Sequence, residues 1–155
     1  MKKRITIIRH AQSKFNAGDF KTDDELLDCR LSEFGKQQAQ KLNQTFDIVI
    51  LSTLGRAIET YANSNIKSKN NVVLSHLFRE QRETSQLNFL PNEEIIPESP
   101  DDVRKRAREA IQFIKNLDYT DIGIISHGYF IWYFLEQCGQ PTTPTYNTQS
   151  ITFEL

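Results

Sequence analysis

The sequence predicts an α/β fold: a three-layer α/β/α sandwich in which a mostly parallel sheet is covered by helices on both faces. Two observations carry that prediction. Four short runs are apolar and rich in β-branched residues without alternating, at residues 4–9 (RITIIR), 47–52 (DIVILS), 71–75 (NVVLS) and 122–126 (IGIIS), the pattern of strands buried on both faces. Between these runs lie segments of helical period, and strands alternating with helices imply right-handed crossovers and parallel pairing.

Taken in order, the first strand at 4–9 is followed by a helical pattern, SEFGKQQAQKLNQTF, with Ser32 at its N-cap. The second strand leads into LGRAIETYANS from Leu54, and the third, 71–75, precedes a stretch without a clear period. That stretch, 83–99, reads as a loop or small lid at the carboxyl edge of the sheet. The next helix is the best signalled. Ser99 caps it, Pro100 suits its first position, and Asp101 and Asp102 complement the positive helix end. After the strand at 122–126 comes GYFIWYFLEQC, stopped by Gly139 with Pro141 beyond. The tail TQSITFEL alternates weakly and reads as a last strand.

At 155 residues the chain has the length of one domain, 1–155, with 83–99 as its insertion. Lys plus Arg number 19 against 20 Asp plus Glu, a balance that gives no reason to expect nucleic acid or a membrane surface. The basic run RKRARE reads as a solvated helix face, since Asp101 and Asp102 precede Lys105 and Arg106 by four residues. YFIWYF reads as the buried side of the last helix. Cys29 and Cys138 are too few for a disulfide framework and read as inert thiols of a reducing, cytoplasmic compartment. The opening MKKRITIIRH has only four residues of apolar run before Arg9, too short for a signal peptide.

His10 and His127 each follow an isoleucine-rich strand, and in parallel sheets ligands sit beyond the carboxyl ends of the strands. Arg9 and Arg56 fall at the same edge. If the four converge, two guanidinium forks grip phosphate oxygens while an imidazole faces phosphorus, which is a phosphoryl-transfer site. A neutral His10 is then a nucleophile able to form a phosphohistidine, and His127 a second donor to the phosphoryl oxygens. Gly128 and Tyr129 open a helix whose free amides can add to the anion site. Four donors supply the positive field that a magnesium ion supplies elsewhere, so no metal or cofactor is expected. Glu80 or Glu83 is close enough in sequence to act as general acid. His76 lacks an accompanying arginine and reads as structural.

These residues resemble a family signature. RHAQSKFN resembles the R-H-G-x-S-x-x-N motif of the histidine phosphatase superfamily, the phosphoglycerate mutase-like enzymes, and LSEFGKQQAQ resembles its L-[ST]-x-x-G-x-x-Q-A segment. LSTLGRAIET is similar to S-x-L-x-R-A-x-x-T, FRE to L-R-E, and IISHGYF to S-H-G, all in the family's order. The resemblance implies a phosphoglycerate mutase-like fold, Arg9 and Arg56 as phosphate clamps, His10 as nucleophile, His127 as second phosphate-binding histidine, Glu80 as proton donor and Asn16 as a further phosphate contact. Ala11 stands where the family usually has glycine, and no glycine follows Glu80 at the usual short distance.

The expected activity is metal-independent hydrolysis of a phosphomonoester in a small metabolite or phosphopeptide. Alternatives are a mutase, a protein phosphohistidine phosphatase and a non-catalytic phospholigand-binding module. Only 18 residues separate Glu80 from Ser99, whereas the resemblance implies larger insertions in the family's mutases, and Glu80 favours esters because the family's phosphohistidine phosphatases generally lack that glutamate. The loops 17–30 and 83–99 are expected to line the substrate pocket. Oligomeric state has no signal in the sequence.

Overall fold

The computed structural model describes residues 2–155. Its strands are β1 (Arg4–Arg9), β2 (Thr45–Phe46), β3 (Ile48–Leu51), β4 (Lys67–Ser68), β5 (Val73–Leu74), β6 (Asp121–Ser126) and β7 (Ser150–Glu154). Its α-helices are α1 (Glu33–Gln40), α2 (Gly55–Asn63), α3 (Pro100–Lys115) and α4 (Gly128–Gln137). The main sheet runs β5-β3-β6-β1-β7. Its first four strands are parallel, and β7 closes the edge antiparallel to β1.

Period two along the strands divides the core. Ile5, Ile7, Ile48, Ile50, Ile122 and Ile124 pack with α3 and α4 through Val103, Ile114, Phe130 and Phe134. Their alternates Ile8, Val49, Leu51 and Ile125 pack the other way with Ala57 of α2 and Phe46. Strands covered on both faces have no polar side, which explains the unbroken apolar runs. The exception is β5, an edge strand of two residues with Leu74 56% exposed.

The sequence expectation for the first helix is too long. It stops at Gln40, because Thr45–Phe46 is drawn into a small parallel pair with β4 and Phe46 turns into the core. Gly123 makes room for that ring: a Cβ there would lie 2.4 Å from it. Ser99 and Asp102 form a reciprocal capping box on α3. Leu54, at the N-cap of α2, has no capping side chain, and Asp28 of the preceding loop accepts from the Gly55 amide at 2.7 Å instead.

One feature of topology positions the site. β6 lies between β3 and β1, with Arg9 opposite Ser126 and Leu51 opposite Ile125. The next residues, His10, His127 and Ser52, therefore emerge side by side at the carboxyl edge.

Candidate active site

The rings of His10 and His127 stand 5.1 Å apart, centre to centre. His10 Nδ1 is 2.6 Å from the carbonyl oxygen of Ala11, a contact that places the proton on Nδ1 and leaves the lone pair on Nε2. Arg56 Nε approaches that Nε2 at 3.3 Å. His127 Nε2 lies 2.7 Å from Ser52 Oγ, which also accepts from the Leu54 amide. When Ser52 Oγ donates in this contact, the proton of the neutral ring sits on His127 Nδ1. Among the described residues, that Nδ1 and Arg9 Nε are buried without a hydrogen-bond partner. Burial, reinforced by Arg56, holds both imidazoles well below their ordinary pKa, so both are neutral near pH 7.

Arg56 is delivered by the first turn of α2 and is 3% exposed. Burial pulls its pKa down to about 10, which leaves it charged at neutral pH. Its Nη2 donates to Asn88 Oδ1 at 2.5 Å and its Nη1 to the Leu87 carbonyl at 3.3 Å. Thr60, one turn along α2, accepts from the Ala11 amide at 3.0 Å and donates to the Arg56 carbonyl at 2.7 Å, tying the helix to the loop that carries His10.

Glu80 follows a short 3-10 turn, His76–Phe78, after β5. Its carboxylate accepts from the Tyr129 and Phe130 amides at 3.1 and 2.8 Å, and from Gln81 at 3.0 Å. Burial nonetheless raises its pKa above the ordinary value, against these bonds and the Arg56 charge. The helix-start amide of Tyr129, expected to face an anion, thus belongs to Glu80. Arg9 Nη1 donates to the Thr145 carbonyl. With Glu80, Gly128, Tyr129, Trp132, Tyr133, Pro144 and Thr145 it lines a cavity of about 440 Å³.

The geometry thus gathers Arg9, His10, Arg56, Glu80 and His127 at one edge, with Gly128 in the cavity wall. Asn16 is linked to the His10 loop through Asn147, whose Nδ2 donates both to the His10 carbonyl at 3.0 Å and to Asn16 Oδ1. It is exposed, and its Oδ1 accepts from the Ser13 amide and hydroxyl at 3.1 and 2.9 Å and from Asn147 at 3.3 Å. Glu83 and His76 are exposed. The pocket expectation also shifts. Loops 17–30 and 83–99 pack on each other, with the Asp28 amide donating to the Phe89 carbonyl, and cover Arg56, whereas the cavity wall comes from α4 and residues 144–145.

Three organising residues escape a reading of the sequence. Asn88, which holds Arg56, lies in the stretch without a period. Arg79 donates to both Glu93 carboxylate oxygens at 2.8 and 2.6 Å and to the Asn88 carbonyl at 3.0 Å, fastening that stretch down. Arg106 corrects the solvated reading of RKRARE: it is buried, paired with Glu98, and donates to the carbonyls of Leu77, Arg79 and Glu80 at 3.0, 2.7 and 3.4 Å. A signal for it exists, since it falls on the buried stripe Val103, Ala107, Ala110 and Ile114.

Among the described residues, no group of three or more His, Cys, Asp or Glu side chains is placed to hold a metal ion, and no helix is long and apolar enough to cross a membrane.

Solved structures share this fold. A phosphoserine phosphatase from Entamoeba histolytica, in complex with 3-phosphoglyceric acid, superposes with a TM-score of 0.72 at 20% identity, over 97% of this chain and 90% of that one. A mycobacterial glucosyl-3-phosphoglycerate phosphatase gives 0.70 at 18% identity, over 99% and 91%. No curated protein matches the chain significantly by sequence. The sequence does match the family model of the histidine phosphatase superfamily (branch 1) over residues 5–148, from the first strand to the segment that leads into the last. The chain belongs to that superfamily, branch 1.

Proposed function

We propose that the chain is a phosphatase that hydrolyses a phosphomonoester of a small metabolite through a phosphohistidine on His10, without a metal ion. The observation that carries the reading is the pairing of a neutral His10, its Nε2 lone pair beside the Arg56 guanidinium at 3.3 Å, with a His127 ring 5.1 Å away. A phosphoryl group between the rings gives the unpartnered Arg9 Nε and His127 Nδ1 an acceptor, relieving a cost of about 1–3 kcal/mol for each buried orphan donor.

In the first step the Nε2 lone pair forms an N–P bond as the ester P–O bond breaks. Glu80 gives its proton to the departing oxygen, and the raised pKa favours the protonated acid this needs. In the second step water attacks phosphorus, the Glu80 carboxylate takes a proton from it, and the N–P bond returns its electron pair to His10. Arg9 and Arg56 hold the phosphoryl oxygens throughout, and His127 donates to one of them. Residues 83–99 act as a fixed cover that keeps Arg56 aligned. The likeness to phosphatases of known structure supports the choice of hydrolysis.

A panel of sugar, acyl, amino-acid and nucleoside phosphates tests this, with His10→Ala as the blank. The proposal expects turnover of at least one ester, undiminished by a chelator and lost in the variant. Phosphate binding without turnover of any ester would assign a binding module instead.

A further inference from the structure

The cavity beside Arg9 and Glu80, about 440 Å³, falls within the roughly 300–1,000 Å³ of small-molecule sites. Among the described residues that line it, Arg9 and Glu80 are the only charged ones, and both stand at one end; the remaining wall is Tyr129, Trp132, Tyr133 and Pro144, with Gly128 and Thr145. The helix explains the wall. Phe130, Ile131, Phe134 and Leu135 of α4 face the core, while Tyr129, Trp132 and Tyr133, at positions i, i+3 and i+4, form a second stripe; Tyr133 is its inner edge, packed partly against the core with the Arg104 guanidinium 5.3 Å from its ring centre, so Tyr129 and Trp132 are its open part. Tyr129 is 61% and Trp132 36% exposed.

Position along α4 connects the stripe to the chemistry. The Glu80 carboxylate is bound to the Tyr129 and Phe130 amides, so an ester oxygen that receives its proton lies at the foot of Tyr129. Whatever that oxygen carries extends along the helix onto Trp132. A leaving group bearing a carboxylate finds no free cation along that wall, because Arg9, the one cation in the lining, already donates to the Thr145 carbonyl and is assigned to the phosphoryl oxygens.

Resting on the phosphatase reading above, we infer that this wall is the leaving-group subsite and that it takes a flat, uncharged aromatic ring. The substrate is a phosphomonoester whose ester oxygen is borne by such a ring or stands one or two bonds from it. Ring stacking on Tyr129 and Trp132 is favoured by area and by quadrupole geometry, and it shields the phosphorus from bulk water.

The test compares benzyl phosphate, ethyl phosphate and O-phosphoserine. All three leave as alcohols of similar acidity and need the same proton from Glu80, so leaving-group chemistry does not mimic recognition. The expected kcat/KM for benzyl phosphate exceeds that for ethyl phosphate by about tenfold or more, and Trp132→Ala and Tyr129→Ala each bring that ratio toward one, whereas Trp132→Phe keeps it. Tyr129→Ala guards against a folding artefact, since its side chain is largely in solvent. A preference for ethyl phosphate or phosphoserine, or a benzyl preference that survives both alanine variants, would overturn the inference while leaving the phosphatase reading standing. Trp132 is the only tryptophan in the chain, so its fluorescence reads the subsite without turnover. Benzylphosphonate should quench or shift it and ethylphosphonate should not; equal responses contradict the subsite even if no ester is hydrolysed. A tyrosine-phosphorylated peptide assayed beside phenyl phosphate tells whether the ring belongs to a protein side chain or a small molecule.

Discussion

On the proposed phosphorus side of the cleft, His10, Arg56 and His127 are 4%, 3% and 0% exposed, and each is fixed by named partners: Ala11, Asn88 and Ser52. On the proposed leaving-group side, Tyr129 and Trp132 are 61% and 36% exposed on the outer face of α4. The difference separates two tasks. Burial moves pKa values and orients charge before substrate arrives, which is where rate comes from. Apolar surface left in water gains free energy only when something covers it, which is where selectivity comes from. Glu80 stands between, buried like the first group yet lining the cavity of the second.

Breaking the buried side should cost most. In steady-state assays His10→Ala should lower kcat by roughly 10³-fold or more, because no other group replaces the nucleophile. Arg56→Lys keeps the charge and loses the planar fork, and a fall in kcat of about 10²–10³-fold is expected. Glu80→Gln should cost about 10²-fold on alkyl esters and much less on p-nitrophenyl phosphate, whose leaving group needs no proton. Asn88→Ala sharpens the comparison from the periphery. It leaves Arg56 short of one acceptor, so a several-fold rise in KM and a loss of about 1–3 kcal/mol in denaturant-monitored stability should follow.

The pKa directions set the pH profile. His10 is lowered, so kcat/KM should fall in acid only below the ordinary imidazole range; Glu80 is raised, so the alkaline fall should come above the ordinary carboxyl range. Glu80→Gln should remove the alkaline limb and leave the acid limb in place. For stability the signs run in opposite senses. The lowered imidazoles contribute stability present above their unfolded pKa and lost as pH falls through the folded values. The raised Glu80 contributes stability present below the unfolded carboxyl pKa and lost as pH rises through the folded value. Glu93, held at about 2 by its hydrogen bond from Arg79, stays ionised across this window, so the fastening of 83–99 should not titrate.

The buried side was readable in the sequence because strands covered on both faces run almost wholly apolar until they end, and the ends are where His10 and His127 stand. Arg56 was readable because its motif opens a helix directly after a strand. What holds these groups was less so. Asn88 reaches Arg56, and Asp28 reaches Gly55, through loop packing that no local periodicity encodes. Arg106 was hidden by composition, its neighbours in RKRARE drawing the eye to charge rather than to the apolar stripe it joins. The aromatic run of α4 failed in the opposite sense. Period identifies a helix and its buried face, but Trp132 and Tyr129 lie off that face, and only the position of residues 144–145 beside them makes the wall of a cavity.

The most direct measurement is the identity of a covalent intermediate. The enzyme is mixed with phosphate-labelled substrate and quenched in alkali within a turnover, then the label is located by peptide mass analysis and its stability to acid is followed. The account predicts label on His10, lost in acid, formed at least as fast as turnover and missing from His10→Ala. Turnover with no labelled protein, or acid-stable label on another residue, would contradict it.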